Sequence, residues 1–222
     1  MDLIEYPDSE IMAMTLARTL AEAIEDTLIT QGRATLAVPG GTTPAPVFDS
    51  LSAITLPWDR VDVLLTDERW VPESSPRSNT ALLRRHLLTG PAQAATLLPL
   101  VSDDATPEEG LPALAAGIAP HLPLSVCLLG MGADMHTASL FPGADRLAEA
   151  LEGDDILYPM RAPGAPEPRV TLSARILKMA MHRHIVITGA DKREALEQAR
   201  TLAPAQAPVA GLLDDSTVHW AP

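Results

Sequence analysis

Short apolar runs alternate along the chain with longer segments in which apolar residues recur at helical spacing. The longest helical segment extends from Ser9 to about Gly32, with Asp8 or Ser9 available as a cap. Residues 124–129 are apolar or small without alternation, which is typical of a parallel strand buried on both faces. Strands are also predicted at 34–38, 61–65, 156–160, 185–188 and 217–220, and helices at 44–51, 79–88, about 111–123, 147–151, 172–181 and 192–202.

This order of strands and helices predicts an α/β fold with a mainly parallel, helix-covered sheet. The chain has 222 residues, 46% of them hydrophobic, which suits one domain covering residues 1–222. Residues 91–110 and 163–168 are rich in proline, glycine or acidic residues, so we expect both to be loops that can border a ligand cleft.

The net charge of -13 argues against nucleic acid or an anionic membrane as the main partner, because both require clustered lysine and arginine. The N-terminal segment is acidic and no apolar run is long enough to span a membrane. We therefore expect a cytoplasmic protein, a monomer or weak homodimer, that binds any anion through a local site.

The segment after residues 124–129 brings an aspartate and a histidine together at a strand end. Gly130 and Gly132 end the apolar run, and Asp134 and His136 follow. Because ligands bind beyond the carboxyl ends of parallel strands, this loop is a candidate active site. In an extended loop both side chains point the same way, so the carboxylate can orient an imidazole that acts as a general base. The alternative is a histidine that only caps or makes a hydrogen bond.

Two further strand ends are candidate anion sites. In segment 39–44, Gly40 and Gly41 let the backbone approach a ligand, Thr42 offers a hydroxyl, and the following helix presents free N–H groups. Lys192 lies in the first turn of another predicted helix and can reach a phosphate as a point charge. The alternatives are an ordinary tight turn and a solvated lysine.

Arg69 is the first candidate for anion recognition, because arginine can hold a phosphate or carboxylate in bidentate geometry. Asp67 and Glu68 either position Arg69, act on the substrate, or belong to a solvated surface cluster. Asn79 lies in a loop that can fold over the same edge, or it caps a helix. Arg169 is a further cationic candidate.

Several other motifs do not carry chemistry. Met135 occupies the third glycine position of an apparent dinucleotide fingerprint, so a dinucleotide site is not expected. Ser139 lacks a nucleophile elbow, so we interpret it as a residue that packs or caps at a helix start. His182 and His184 have no third ligand at metal spacing, so no metal is expected. Cys127, the only cysteine, is expected to be a small core residue.

In order and over essentially the whole chain, these motifs resemble the 6-phosphogluconolactonase family. The resemblance implies a Rossmann-like three-layer α/β/α fold of the sugar-phosphate isomerase type and a role in the oxidative pentose phosphate pathway. It also implies a sugar-phosphate lactone substrate and no cofactor. The matching segments are Pro39-Gly-Gly-Thr-Thr-Pro44, Asp67-Glu-Arg69 with Ser78-Asn79, Gly130-Met-Gly-Ala-Asp-Met-His-Thr-Ala-Ser-Leu-Phe-Pro-Gly143, Arg169-Val-Thr-Leu172 and Gly189-Ala-Asp-Lys192.

The resemblance implies hydrolysis of 6-phospho-D-glucono-1,5-lactone to 6-phospho-D-gluconate without a metal. His136 would take a proton from the attacking water and Asp134 would orient His136. The family usually has glycine between these two residues, and Met135 departs from that pattern at a possible cost of about 1 kcal/mol if the position requires a positive φ. The residues expected around the phosphate are Gly41, Thr42, Arg69 and Lys192, with Arg169 as a further candidate.

Two alternatives remain. Glucosamine-6-phosphate deaminases share the glycine turn and the lysine element, and in such an enzyme Asp67 would abstract the C2 proton while His136 assists ring opening. The continuation after His136 is of the lactonase type. The other alternative is a noncatalytic sugar-phosphate sensor in which Met135 has disabled the loop.

Overall fold

Seven strands form one sheet in which every neighbouring pair runs parallel. A computed structural model describes residues 1–222. The strands of this sheet are β1 (Asp2–Glu5), β2 (Ala34–Val38), β3 (Val61–Leu65), β5 (Thr96–Leu97), β6 (Val126–Gly130), β9 (His182–Thr188) and β10 (Thr217–Ala221). They lie in the order β1-β10-β9-β6-β2-β3-β5.

A second, smaller sheet is antiparallel and has the order β4-β8-β7. Its strands are β4 (Asp67–Arg69), β7 (Leu157–Met160) and β8 (Arg169–Leu172). Thr66 joins the two sheets, because its N–H donates to Val38 O at 2.8 Å and its carbonyl accepts from Leu172 N at 2.9 Å. The small sheet is thereby fixed beside the carboxyl end of β3.

Seven helices pack around the two sheets. They are α1 (Ser9–Gln31), α2 (Ala45–Ser52), α3 (Asn79–His86), α4 (Pro107–Ile118), α5 (Leu147–Glu152), α6 (Ala174–Lys178) and α7 (Ala190–Ala199). Helix α1 begins where the Asp8 side chain accepts from Ile11 N, and it ends at Gly32 with φ of 79°. None of the helices has the length and apolar character that a membrane crossing requires.

A single hydrophobic cluster of 58 buried residues joins these helices to the sheet. Every residue of β2 and β3 is buried, which explains why both strands are continuously apolar apart from an occasional polar residue. The predicted parallel α/β fold is confirmed. Because all strands of the large sheet point the same way, the loops after β2, β3, β6 and β9 meet at one edge.

The helices and strands differ from the sequence prediction in several places. The predicted helix 172–181 is wrong at both ends: residues 169–172 form β8 and the helix covers only Ala174–Lys178. Helix α4 begins at Pro107 rather than near residue 111, so the expected loop 91–110 also contains a 3-10 turn, β5 and the start of α4. Strands β1 and β4 were not predicted, because β1 is a mostly exposed edge strand and β4 has only three residues.

Candidate active site

The loops at the carboxyl edge of the parallel sheet enclose a cavity of about 270 Å³. Three cationic side chains and one carboxylate line it, so the cavity is locally positive on a protein of net charge -13. The structure brings the predicted site residues together here, and only Asp134, which lies behind His136, does not line the cavity. The residues predicted from sequence that line it are Gly40, Gly41, Thr42, Asp67, Arg69, Asn79, His136, Arg169 and Lys192.

His136 faces this cavity and is paired with Asp134 on its other side. His136 Nδ1 lies 2.5 Å from Asp134 Oδ1, and this hydrogen bond holds the pKa of the carboxyl below its usual value. A carboxylate can only accept, so Nδ1 carries the proton and the Nε2 lone pair is left for a ligand. The arrangement suits a general base.

A tight turn, rather than the extended loop expected from the sequence, brings these two side chains together. Met135 N donates to Gly132 O at 3.0 Å, and Gly132 N donates to His136 O at 3.0 Å. Met135 has a φ of 65°, so the departure from glycine falls at a position with left-handed backbone. Gly132 is required by space, since a Cβ there would lie 2.2 Å from His136 Nδ1.

The glycine turn before α2 presents an unbroken set of main-chain donors. The N–H groups of residues 40–43 donate to no acceptor within the protein, and they precede the positive end of a helix. Gly41 has a φ of 94°, and a Cβ on Gly40 would lie 2.0 Å from Asn79 Oδ1. Both positions therefore require glycine, and the free N–H groups of the turn can bind an anion.

Helix α7 supplies a second set of donors at the same edge. The N–H groups of residues 190–192 also lack an acceptor within the protein, and Lys192 lies in this first turn and lines the cavity. Gly189 caps the helix with a φ of 88°. The lysine therefore faces the cavity rather than only the outer surface.

Arg69 and Arg169 both line the cavity. Arg69 Nη1 donates to Arg77 O at 2.6 Å and to Asn79 Oδ1 at 2.9 Å, which fixes the guanidinium. Arg169 Nη1 lies 3.6 Å from Asp67 Oδ2, and burial lowers the pKa of Arg169 from its ordinary value. The Nε atoms of both arginines are buried and have no hydrogen-bond partner within the protein.

The two carboxylates beside Arg69 are buried, so a solvated surface cluster at residues 67–69 is the wrong interpretation. Asp67 is 5% and Glu68 1% exposed. Glu68 accepts from Asn79 N at 2.9 Å and from Thr80 N at 2.7 Å, so it satisfies the start of α3. Ser78, not Asn79, is the cap of that helix, and the Asn79 side chain instead bridges Asp67 O and Arg69.

Ser139 is the main contact that the sequence did not indicate. It is fully buried and its hydroxyl donates to Asp67 Oδ2 at 2.5 Å, whereas we expected packing or capping at a helix start. Residue 139 lies in a loop, and its partner is 72 positions away, so no local signal predicts the pair.

The other histidines and the cysteine lie outside the cavity. His184 Nδ1 lies 3.1 Å from His219 Nε2 in the core, and burial lowers the pKa of each to about 4. Burial raises the pKa of the Cys127 thiol to about 12, as expected of a core residue. Nowhere do three His, Cys, Asp or Glu side chains form a group that could hold a metal ion.

A larger cleft of about 850 Å³ lies beside this cavity and contains no histidine. Residues 97 and 99–105 line it, so the predicted loop 91–110 borders that cleft rather than the one with His136. In the predicted loop 163–168, Glu167 forms an ion pair with Arg77. This loop reaches the cavity through Arg169, which directly follows it and lines the cavity, and through Arg77, whose carbonyl holds Arg69.

Residues 7–220 match the family model of glucosamine-6-phosphate isomerases/6-phosphogluconolactonase. The chain is 42% identical to a 6-phosphogluconolactonase of Mesorhizobium japonicum over 98% of its length and 94% of the relative's. It is 40% identical to one from Pseudomonas aeruginosa, with 95% and 90% covered. The crystal structure of a 6-phosphogluconolactonase from Shewanella baltica superposes with a TM-score of 0.97 at 29% identity, covering 100% of this chain and 97% of that one.

Proposed function

The chain belongs to the family of glucosamine-6-phosphate isomerases and 6-phosphogluconolactonases, and from this premise we propose that it hydrolyses 6-phospho-D-glucono-1,5-lactone to 6-phospho-D-gluconate. The observation that carries the proposal is the His136–Asp134 pair facing a locally positive cavity. An ester with a remote phosphate needs these two parts, a base for water and an anchor for the anion.

We propose that His136 is the general base. Its free Nε2 takes a proton from water as the water oxygen adds to the lactone carbonyl, and the resulting imidazolium is stabilised by the Asp134 carboxylate. The tetrahedral intermediate then collapses, the bond to the ring oxygen breaks, and the imidazolium returns its proton to that oxygen. The carboxylic acid formed in this way loses its proton to water and leaves as 6-phospho-D-gluconate, so no metal is needed in this sequence.

The cations and the glycine turn supply the anchor. We assign the phosphate to the free N–H groups of residues 40–43 together with Arg69 and Lys192, and we assign Arg169 as a further cation. Asn79 holds Arg69 in place, and Asp67 holds Arg169. Binding energy from the unreactive phosphate then positions the carbonyl against His136. Remaining main-chain donors, or Arg69, stabilise the oxyanion as it forms.

The rest of the expected setting belongs to the same proposal. A cytoplasmic protein without a nucleic-acid partner, monomeric or weakly dimeric, acting in the oxidative pentose phosphate pathway, fits the acidic composition and the family. The 222 residues would act as one domain, since one hydrophobic cluster connects them.

The test is a lactone hydrolysis assay, corrected for spontaneous opening, in chelator-treated buffer. Wild type should accelerate opening, and His136→Ala should reduce kcat by about 100-fold or more while still binding 6-phosphogluconate. The matched control is His86→Ala, because His86 also pairs with a carboxylate, Asp49 at 2.8 Å, but does not line the cavity. Binding without turnover in wild type would instead indicate a sensor, and ammonia release from glucosamine 6-phosphate would indicate a deaminase.

A further inference from the structure

We propose that Phe141 is a positioning residue of this reaction, an aromatic ring that orients His136 and stabilises it when it becomes an imidazolium. The proposal rests on the proposed function, because it assigns a role within the same site. Phe141 belongs to the loop that carries His136, but the hydrolysis described above does not require it to touch the substrate.

The ring of Phe141 lies against the ring of His136. The two ring centroids are 4.2 Å apart with an interplanar angle of 30°, which is a stacked arrangement. Asp134 holds Nδ1 of the same imidazole, and the backbone of Gly132 lies so close that no Cβ fits beside it. Three contacts therefore restrict His136, and Phe141 supplies the stacked aromatic face among them.

Phe141 also contacts Arg169, on the side of the site assigned to anion binding. The guanidinium carbon lies 5.1 Å from the Phe141 centroid, within range of a cation–π interaction. The polar contacts of Arg169 are long, 3.6 Å to Asp67 Oδ2 and 3.5 Å to Ser139 Oγ, and its Nε has no partner. The aromatic ring therefore contacts both the proposed general base and one arginine of the site.

The chemistry of the step gives this contact a catalytic consequence. His136 is neutral before reaction and cationic after it takes the proton of water, and an aromatic face attracts a cation more strongly than a neutral ring. The interaction is thus stronger in the transition state than in the ground state, so its loss should lower kcat more than it raises KM.

The chain offers a matched control, because it contains only two phenylalanines. Phe48 is fully buried in α2 and does not line the cavity. Phe141→Leu keeps an apolar side chain but loses the flat face. We expect it to reduce kcat roughly tenfold, with KM within threefold, since a lost aromatic contact of this kind changes a rate by about that factor. Phe48→Leu should lower the melting temperature and leave kcat within twofold.

The variant Phe141→Tyr tests whether His136 requires the aromatic ring at position 141 or only a side chain that fills the same volume. This variant keeps the ring, so its kcat should return to within about threefold of wild type. A kcat for Phe141→Leu within fivefold of wild type, or a Tyr variant as slow as the Leu variant, would overturn the proposal.

An assay without turnover keeps the inference separate from the proposed function. Protein carrying Phe48→Leu and labelled with 4-fluorophenylalanine has one fluorine, on ring 141. Its 19F resonance should shift when His136→Gln removes the imidazole, and it should stay in place in the His86→Gln protein. A resonance that does not depend on His136 would refute the contact even in an active enzyme. A protein that shows the shift but hydrolyses no lactone would refute the proposed function alone.

Discussion

Gly132→Ala adds one methyl group at the point where the backbone passes closest to the proposed base. The new Cβ would lie 2.2 Å from His136 Nδ1 and 2.5 Å from Asp134 Oδ1. Ordinary contact begins near 3.4 Å, so the imidazole and the carboxylate must move by about 1 Å. Gly132 itself lies outside the left-handed region, so alanine introduces no backbone strain.

The magnitude follows from the geometry of the base. A displacement of about 1 Å at a reacting group costs roughly 100-fold in rate, so kcat should fall by about that factor. Stability should change little, because the affected His136–Asp134 pair is partly exposed and such a hydrogen bond contributes only about 1 kcal/mol. For a chain of this size that is a shift in melting temperature of about 2–4 °C.

The assay is lactone hydrolysis beside thermal unfolding, with Gly117→Ala as the matched control. Gly117 lies inside α4, and a Cβ there meets nothing within 4 Å. Gly117→Ala should therefore keep full activity and gain up to about 1 kcal/mol of stability. If Gly132→Ala hydrolyses lactone at the wild-type rate, the close approach of residue 132 to the imidazole does not hold the base in place.

Three further predictions concern the supporting structure. Met135→Gly should keep kcat within about threefold and the free energy of unfolding within about 1 kcal/mol. The relief of strain at a positive φ offsets the conformational entropy that glycine adds to the unfolded chain. Complete loss of activity would contradict this view of the turn. Ser139→Ala removes a donor from the buried carboxylate of Asp67 and should cost about 2 kcal/mol in urea unfolding, whereas an unchanged midpoint would mean that water replaces the hydroxyl. The pKa of His184 and of His219 falls from 6.5 unfolded to about 4 folded, so the unfolded state binds more protons between these values. The free energy of unfolding is therefore highest above pH 6.5 and falls as the pH drops toward 4. Uptake of one proton by the His184–His219 pair lowers it by about 3 kcal/mol. The double variant His184→Gln/His219→Gln should have a free energy of unfolding that depends less on pH between pH 7 and pH 4.5. The same pH dependence as wild type would count against the lowered pKa of these two histidines.

Most of the parallel sheet could be predicted because its signal is local. Strands β2 and β3 are buried along their whole length, so their own residues identify them, and the residues of the His136 loop follow the same kind of strand. Of the small antiparallel sheet, only β7 was predicted, as the strand at 156–160, whereas β4 and β8 could not be predicted in this way. Strand β8 exists because Arg169 pairs with Arg69 of β4, one hundred positions earlier, and neither segment is apolar throughout.

The residues of the candidate site likewise divide into those that local sequence patterns locate and those that depend on long-range packing. The positions of Gly41, His136 and Lys192 follow from strand ends and helix starts, which sequence patterns locate. The burial of Glu68 and the contact from Ser139 to Asp67 depend on long-range packing. Start signals for α4 were present in Thr106 and Pro107, but nearby glycine and further proline residues obscured them.

The free N–H groups of residues 40–43 make part of the anion site independent of side-chain identity. Alanine at Thr42 or Thr43 leaves these donors in place, because only proline removes a main-chain N–H, whereas alanine at Gly40 or Gly41 disturbs the turn that presents them. Sequence drift at Thr42 and Thr43 can likewise proceed without loss of that contribution. The anion site therefore depends on the backbone conformation of this segment, and that conformation requires the glycines at 40 and 41.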